Sequence, residues 1–121
     1  MHKTRGFLIA SGNIAGEKMH FIVNHWPSRA AASPARERAG EQVRAIKDSL
    51  LREDSAAKIV IMGDMNDDPM DKSMAVALGA KRKPADVGPT DLYNPWWDTL
   101  KKGYGTLMYK GKWNLFDQIV F

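Results

Sequence analysis

Two polar residues follow directly after an apolar run in the middle of the chain. Residues Ile59-Val60-Ile61-Met62 predict a buried strand, and Gly63 ends it. Asp64 and Asn66 come next, at a spacing of two, where α/β proteins place their chemistry. The carboxylate can accept a proton or orient a water, and the amide can donate a hydrogen bond to an oxyanion. The same residues are equally typical of a turn that caps the following helix, so both interpretations stay open here.

A second polar segment, Asn24-His25-Trp26-Pro27-Ser28-Arg29, follows another predicted strand. His25 can donate a hydrogen bond to a phosphate oxygen or act as an acid near neutral pH. Arg29 offers a planar guanidinium that fits a phosphate group. A single histidine in such a place is more often hydrogen-bonded to the local backbone, which is the alternative interpretation.

A third candidate is Asp117, which lies within the apolar run Trp113–Ile119. A carboxylate that is buried in a strand needs a partner or a functional reason. Strand alternation opposite Phe116 would expose it, but three apolar residues share its predicted face: Leu115, Ile119 and Phe121. We therefore expect Asp117 to be a partnered carboxylate.

The elements that must position these residues alternate between strands and helices. Two strands, 5–11 and 19–25, predict a hairpin with a loose loop, and Ser33-Pro34 predicts the start of a helix that continues to about Arg52. One apolar stripe follows that helix: Ala39, Val43, Ile46 and Leu50. Asp68-Pro69 predicts a short capped helix that ends at Gly79, and the chain closes with a predicted hairpin over 106–121. This order favours a mixed or mostly antiparallel sheet with helices on one face.

Composition bounds the class of protein. The chain has 121 residues, 44% hydrophobic and 26% charged, which is typical of one globular domain. No apolar run approaches about 18 residues, so no membrane span is predicted. The absence of cysteine excludes disulfides and thiolate metal sites. A net charge of +4 suits a phosphate-bearing partner but is also common on ordinary basic surfaces.

Together these segments resemble the C-terminal half of the endonuclease/exonuclease/phosphatase superfamily, the fold shared with pancreatic deoxyribonuclease. The matching signatures are Asn24-His25-Trp26-Pro27-Ser28-Arg29, Gly63-Asp64-Met65-Asn66, and Trp113 with Asp117-Gln118-Ile119. Gly-Asp-x-Asn alone is short, but three signatures in matching order are specific. The resemblance implies an α/β fold: half of a four-layer α/β sandwich, with a mixed, mostly antiparallel sheet and helices on one face.

The resemblance also implies metal-dependent hydrolysis of a phosphoester by in-line attack of water, with Mg²⁺ or Mn²⁺ in the complete protein. By motif, His25 matches the histidine that contacts the phosphate, and Asp64 matches the aspartate that orients or deprotonates the attacking water. Asn66 matches the asparagine that hydrogen-bonds the phosphate and that water. Asp117 matches the aspartate that supports a second catalytic histidine. Asp64 and Asn66 are also the candidate metal donors of this chain. Four further residues are expected to bind substrate: Asn24, Ser28, Arg29 and Trp113.

Some parts of the family pattern have no counterpart in this sequence. They are the N-terminal half with its metal-binding glutamate, the Ser-Asp-His motif after the last strand, and the second histidine. We therefore expect residues 1–121 to be one partial domain of a longer protein and to be inactive as an isolated hydrolase fragment. Apolar side chains on both faces of the predicted strands further predict self-association, for instance as a homodimer.

Two other classes of function stay open from the sequence. The chain could be a non-catalytic module that binds a phosphate ligand or nucleic acid, or a structural domain in which Asp64 and Asn66 only form a turn. The signatures are shared by enzymes that act on nucleic acids and on small phosphorylated molecules. The sequence therefore does not distinguish a nucleic-acid substrate from a small phosphorylated molecule, because specificity lies mostly in loops.

Overall fold

Four strands form one mixed sheet on which most of the remaining chain packs. The computed structural model describes residues 7–27, 33–109 and 112–121. The sheet has the order β1-β2-β3-β8, and the bounds of all strands are β1 Phe7–Ile14, β2 Glu17–His25, β3 Lys58–Asp64, β4 Ala80–Lys81, β5 Leu92–Tyr93, β6 Leu107–Tyr109, β7 Lys112–Asn114 and β8 Asp117–Val120. The helices are α1 Ser33–Glu53, a π-helix Ser73–Leu78, a 3₁₀ turn Pro84–Asp86 and α2 Trp97–Lys101.

The pairing of the strands confirms the predicted mixed α/β architecture. β1 and β8 are antiparallel to their neighbours, whereas β2 and β3 are parallel, with α1 as the crossover between them. The first hairpin is tighter than predicted. Its strands extend to a two-residue turn, Ala15-Gly16, in which both residues have positive φ (52° and 81°). That turn matches the twist of the flanking strands.

The C-terminal hairpin was predicted too long. β6 and β7 form a separate two-stranded ribbon, and the chain then leaves it at Leu115-Phe116 to join the main sheet as β8. β8 pairs antiparallel with β3, with Met62 opposite Ile119 and Asp64 opposite Asp117. The predicted single strand from Trp113 is therefore two strands that belong to different sheets.

Helix α1 covers one face of the sheet through its predicted stripe. Val43 is fully buried, while Ile46 and Leu50 are partly buried against the same core. Gly40 lets the helix approach the π-helix, because a Cβ atom there would collide with the backbone oxygen of Ser73. The core lies between α1, the π-helix and the sheet.

The helix after Pro69 begins later than predicted. It starts at Ser73, its N-cap is Lys72, and no side chain caps it. Gly79 ends it as expected, with φ of 78° and its N–H bonded to the Met74 carbonyl. Asp68 and Asp71 lie in the preceding turn, where the Asp71 carboxylate accepts the Asp68 N–H at 2.8 Å. The predicted cap by Asp68 is wrong, because its carboxylate bonds elsewhere in the fold.

The two faces of the sheet differ sharply in exposure. On the packed face, Ile22, Ile61 and Val120 have no exposed surface. On the open face, Leu8, Val23 and Ile119 are 68%, 41% and 44% exposed. Among the described residues, no helix is long and apolar enough to cross a membrane.

Candidate active site

Three candidate catalytic residues lie in one row across the open face of the sheet. His25 ends β2, Asp64 ends β3, and Asp117 begins β8. The strand register pairs His25 with Asp64 and Asp64 with Asp117. Directly paired residues project from the same side of a sheet, so the three side chains lie side by side on the open face. They lie at the end of the sheet where β2 and β3 finish and β8 begins, which we call the edge of the open face. The sequence predicted each of them separately, and the register brings them together.

The His25 and Asp64 side chains lie close to each other and remain accessible. Nε2 of His25 is 3.8 Å from Oδ2 of Asp64, and the two side chains are 54% and 37% exposed. A carboxylate at this distance can orient an imidazole or a water between the two groups. The pair therefore provides both an accessible donor and an accessible proton acceptor at the edge of the sheet.

The turn from Asp64 to Asn66 is held by hydrogen bonds within the turn and by hydrogen bonds to Trp26, the residue after β2. Oδ1 of Asp64 accepts the Asn66 N–H at 2.9 Å, and the Asn66 side-chain amide donates to the Trp26 carbonyl at 2.8 Å. Trp26 N–H donates in return to the Asp64 carbonyl at 3.0 Å. Asn66 adopts a left-handed conformation with φ of 51°, which asparagine tolerates better than most residues. These bonds fix the direction of its carboxamide.

The glycine before this turn is required by the close approach of β2. Gly63 has φ of 126°, and a Cβ atom there would collide with the backbone oxygen of Asn24. Any side chain would push β2 and β3 apart at the point where His25 and Asp64 are paired. The glycine of the Gly-Asp-x-Asn motif therefore has a packing role at this site.

Asn24 faces the packed side and is 4% exposed. Its amide donates to the carbonyls of Ile22 and Met62 at 2.9 and 3.1 Å, and its Oδ1 accepts the Trp26 Nε1–H at 3.0 Å. The geometry favours a role in joining β2, β3 and the Trp26 ring over the predicted contact with substrate.

Asp117 is exposed, whereas the expectation of a partnered carboxylate assumed a buried position. Ile119 and Phe121 share its face as predicted, but that face is open and they are exposed as well. Leu115 is buried, because it lies in the crossing from β7 to β8 and outside the alternation of β8. The main-chain N–H of Asp117 lies 3.4 Å from the Thr106 hydroxyl.

A buried ion pair beneath the turn was missed by the sequence analysis. Nε of Arg36 lies 2.9 Å from Oδ1 of Asp67, with the side chains 5% and 4% exposed. The Ser73 hydroxyl donates to Oδ2 of Asp67 at 2.6 Å. Burial raises the pKa of the Asp67 carboxyl, an effect opposed by the Ser73 hydrogen bond and the Arg36 charge. The available signal was Arg36 itself, three residues before Ala39 on the apolar stripe of α1.

A second set of long-range hydrogen bonds ties the turn to the C-terminal strands. Asp68 accepts the Leu115 N–H at 2.7 Å and the Asn114 side-chain amide at 2.8 Å. The Gln118 amide donates to the Asp67 and Leu115 carbonyls at 2.7 and 2.9 Å. No local pattern in the sequence indicates these partners.

The described residues offer metal donors of suitable chemistry but no assembled site. Asp64 and Asp117 provide carboxylate oxygens and Asn66 a carboxamide oxygen, the ligand types that Mg²⁺ prefers. Nevertheless, no group of three or more His, Asp or Glu side chains that could hold a metal is found in the described ranges. The predicted substrate-binding residues Ser28 and Arg29 lie outside the described residues. Trp113 lies in β7, next in the chain to Asn114.

Several solved structures share this fold. The chain is similar to truncated Caenorhabditis elegans TDP2 (TM-score 0.64, 17% identity), covering 96% of this chain and 45% of that one. It is also similar to D. rerio TDP2 complexed with a single-strand DNA product (TM-score 0.58, 23% identity, 96% and 46%). A third is the human nocturnin catalytic domain with a bound sulfate anion (TM-score 0.56, 14% identity, 88% and 36%). The chain thus spans less than half of each of these proteins.

Comparison of the sequence identifies a family rather than an individual protein. No curated protein gives a significant match to it. The Endonuclease/Exonuclease/phosphatase family, however, matches from residue 1 to residue 121. That match agrees with the mixed sheet and with the three sequence signatures, which occur in the order typical of the family. The chain belongs to the endonuclease/exonuclease/phosphatase family.

Proposed function

We propose that this chain is the phosphate-contacting half of a metal-dependent phosphoester hydrolase that acts by in-line attack of water. The observation that carries the proposal is the row of His25, Asp64 and Asp117 at one edge of the open sheet face. Family membership supplies the reaction class, because members of this family are phosphoester hydrolases. The row places a donor and two acceptors where a phosphate group can reach them from solvent.

The proposed roles follow from the chemistry and exposure of each side chain. In the His25–Asp64 pair, His25 has the more exposed side chain, and it donates a hydrogen bond to a phosphate oxygen. Asp64 orients the attacking water and accepts its proton. Asn66, whose amide is oriented by the Trp26 carbonyl, donates to the negative charge that develops on the phosphoryl oxygens. Asp117 supports a second histidine that the complete protein would contribute.

We propose that Mg²⁺ or Mn²⁺ is the cofactor of the complete protein. A divalent ion neutralises charge on a phosphate during hydrolysis. Asp64 and Asn66 are the oxygen donors that this chain would contribute. Waters, phosphate oxygens of the substrate and further side chains of the complete protein would supply the remaining ligands.

The proposed substrate is a phosphoester in a nucleic acid, with a small phosphorylated molecule as the alternative. D. rerio TDP2, which shares the fold, binds a single-strand DNA product in its structure. The net charge of +4 is favourable for a polyanionic strand. A single-stranded oligonucleotide and a chromogenic phosphodiester are therefore the first substrates to compare.

The complete protein is proposed to be longer than this chain, because the chain spans only 44–46% of the TDP2 structures it resembles. The isolated chain is expected to bind metal weakly and to show no significant hydrolysis. Incubating the pure chain with Mg²⁺ or Mn²⁺ on both substrates tests this. Robust turnover that is lost in Asp64→Ala would overturn the inactive-fragment proposal while supporting the site.

A binding module without turnover is the second candidate. It is favoured by the exposure of the His25–Asp64 pair, where a phosphate group can accept a hydrogen bond from His25. The two functions differ in the complete protein. Phosphate-ligand binding with no hydrolysis under any divalent metal would favour the binding module, whereas metal-dependent turnover would exclude it.

Self-association of the isolated chain is proposed from its open sheet face. A row of apolar residues in register crosses all four strands of that face: Leu8, Val23, Met62 and Ile119. Contiguous apolar surface of this kind favours association with a second copy, for instance as a homodimer that packs sheet against sheet.

A further inference from the structure

The turn that carries the proposed catalytic amide continues into a polar segment that is unusually buried. Asn66, Asp67 and Asp68 are consecutive, and they are 9%, 3% and 9% exposed. Consecutive buried polar residues are costly unless each one is hydrogen-bonded. Their partners come from three different elements of the fold, so the segment is fixed from several directions.

Asp67 is the residue at which these elements meet. Its two carboxylate oxygens face Arg36 of α1 at 2.9 Å and the Ser73 hydroxyl of the π-helix at 2.6 Å. Its main-chain carbonyl accepts the Gln118 amide of β8 at 2.7 Å. The side chain and the backbone of one residue are thus bound by two helices and a strand.

A buried ion pair of this kind is not explained well by stability alone. The cost of removing two charges from water offsets much of their attraction, and apolar replacements are often as stable. A charged pair does, however, restrict the positions of both groups, because each buried charge must stay close to the other. Asp67 follows Asn66 directly in the chain, so a fixed Asp67 also restrains the backbone that carries the Asn66 carboxamide.

We propose that Arg36 is a positioning residue that acts through Asp67 to hold the Asn66 carboxamide in its hydrogen bond to the Trp26 carbonyl. This inference rests on the proposed function for its catalytic consequence. Its structural part, the orientation of Asn66, is independent of any activity. Arg36 belongs to α1 and lies on the packed side of the sheet at 4% exposed, and its contact with Asp67 links it to the segment that carries Asn66.

Helix α1 also contains a matched control. Lys47 is as buried as Arg36, at 4% exposed, and its Nζ contacts the Thr90 carbonyl at 2.8 Å and Asp48 at 2.7 Å. It lies near the opposite end of the sheet, where it lines a cavity with Met19 and Lys58. Removing the Lys47 charge therefore perturbs a buried cation of the same helix, at a distance from the turn that carries Asn66.

The test compares Arg36→Met and Lys47→Met in the isolated chain, using the ¹⁵N side-chain amide signal of Asn66, assigned with Asn66→Ala. Arg36→Met is expected to shift that signal and to speed its hydrogen exchange by at least about tenfold, whereas Lys47→Met leaves both unchanged at a similar melting temperature. If both variants leave the Asn66 amide unchanged, or disturb it equally, the positioning role is overturned.

If Arg36→Met does not fold, the milder substitutions Arg36→Lys and Ser73→Ala replace it, since Arg36→Lys keeps the positive charge and Ser73→Ala removes the hydroxyl that donates to Asp67. Each is expected to disturb the Asn66 amide signal more than Lys47→Met does, and an undisturbed signal in both would overturn the proposal. In the complete protein, Arg36→Lys is expected to lower kcat by about tenfold or more with KM nearly unchanged, because small displacements of a catalytic group are costly. A wild-type protein without hydrolysis would contradict the proposed function, while the amide signal would still decide the positioning role.

Discussion

The two faces of the central sheet are made by the same strands but serve different purposes. In β2, Ile22 is fully buried while its neighbour Val23 is 41% exposed, and in β8 Val120 is fully buried while Ile119 is 44% exposed. The packed face holds α1 and the core. The open face carries the row of His25, Asp64 and Asp117 above an uncovered apolar surface. Residues that stabilise the fold and residues that we propose to act on a phosphoester therefore alternate along the same strands.

The largest effect is expected from the packed face. Ile61→Ala should destabilise the chain by about 2–5 kcal/mol, because it leaves a cavity in a fully buried position. Its neighbour Met62 is only partly buried on the open face, so Met62→Ala should cost clearly less. Denaturant unfolding of the two variants measures both. Equal losses would show that the open face is covered.

Asn66→Ala should act on catalysis more than on affinity. Loss of one donor to transition-state charge typically costs about 3 kcal/mol, or a hundredfold or more in turnover. Steady-state kinetics of the complete protein, with Lys47→Met as the control for a buried polar substitution, would measure kcat and KM separately. A loss confined to KM would make Asn66 a binding group.

Gly63→Ala tests the close approach of β2 and β3. Strain at φ of 126° alone costs about 1–3 kcal/mol, and the new Cβ atom would also collide with the Asn24 backbone. Thermal unfolding should show the loss, whereas Gly12→Ala, at a position with open space, should melt close to the wild type. If Gly63→Ala were equally neutral, the packing role of this glycine would be wrong.

The open apolar row is expected to control association and to contribute little to folding. Sedimentation at micromolar concentration should show self-association of the wild type, and Val23→Lys with Ile119→Lys should shift it to monomer. The midpoint of unfolding should change little once protein concentration is taken into account. A wild-type chain that is already monomeric, with a cooperative melt, would contradict the proposal.

The smallest effect on stability is expected for Asp117→Asn. Its side chain is exposed, and exposed substitutions usually change stability by less than about 0.5 kcal/mol. Removal of its charge beside Asp64 should be neutral or slightly stabilising, because directly opposed like charges repel. A large loss in a denaturant titration would indicate that Asp117 has a structural partner after all.

Local sequence patterns predicted the elements that their own residues determine. The apolar run Ile59–Met62 forms the centre of β3, and the stripe beginning at Ala39 places α1 on the sheet. Three of the predicted catalytic residues meet because strand ends at one sheet edge are neighbours. These features depend on periodicity and on strand ends, which a sequence displays directly.

The features that were missed depend on partners far away in the chain. Asp68 was predicted to cap the next helix, but it bonds Leu115, 47 residues later. Asp117 was predicted to be a partnered carboxylate because Leu115 was assigned to the same strand face, but β7 ends at Asn114 and β8 begins at Asp117, with no glycine or proline between them to mark the break. The Arg36–Asp67 pair likewise joins two segments 31 residues apart, and no local pattern selects one partner among the many acidic residues.

The most direct test of the central claim is the hydrolysis of a phosphodiester by the complete protein with Mg²⁺, in wild type, Asp64→Ala and Lys47→Met. Proton transfer by a positioned side chain contributes about 10²–10⁴-fold, so Asp64→Ala should lose activity by that factor. Lys47→Met should retain its turnover. Full activity in Asp64→Ala, or equal losses in both variants, would contradict a catalytic site at the edge of the open face.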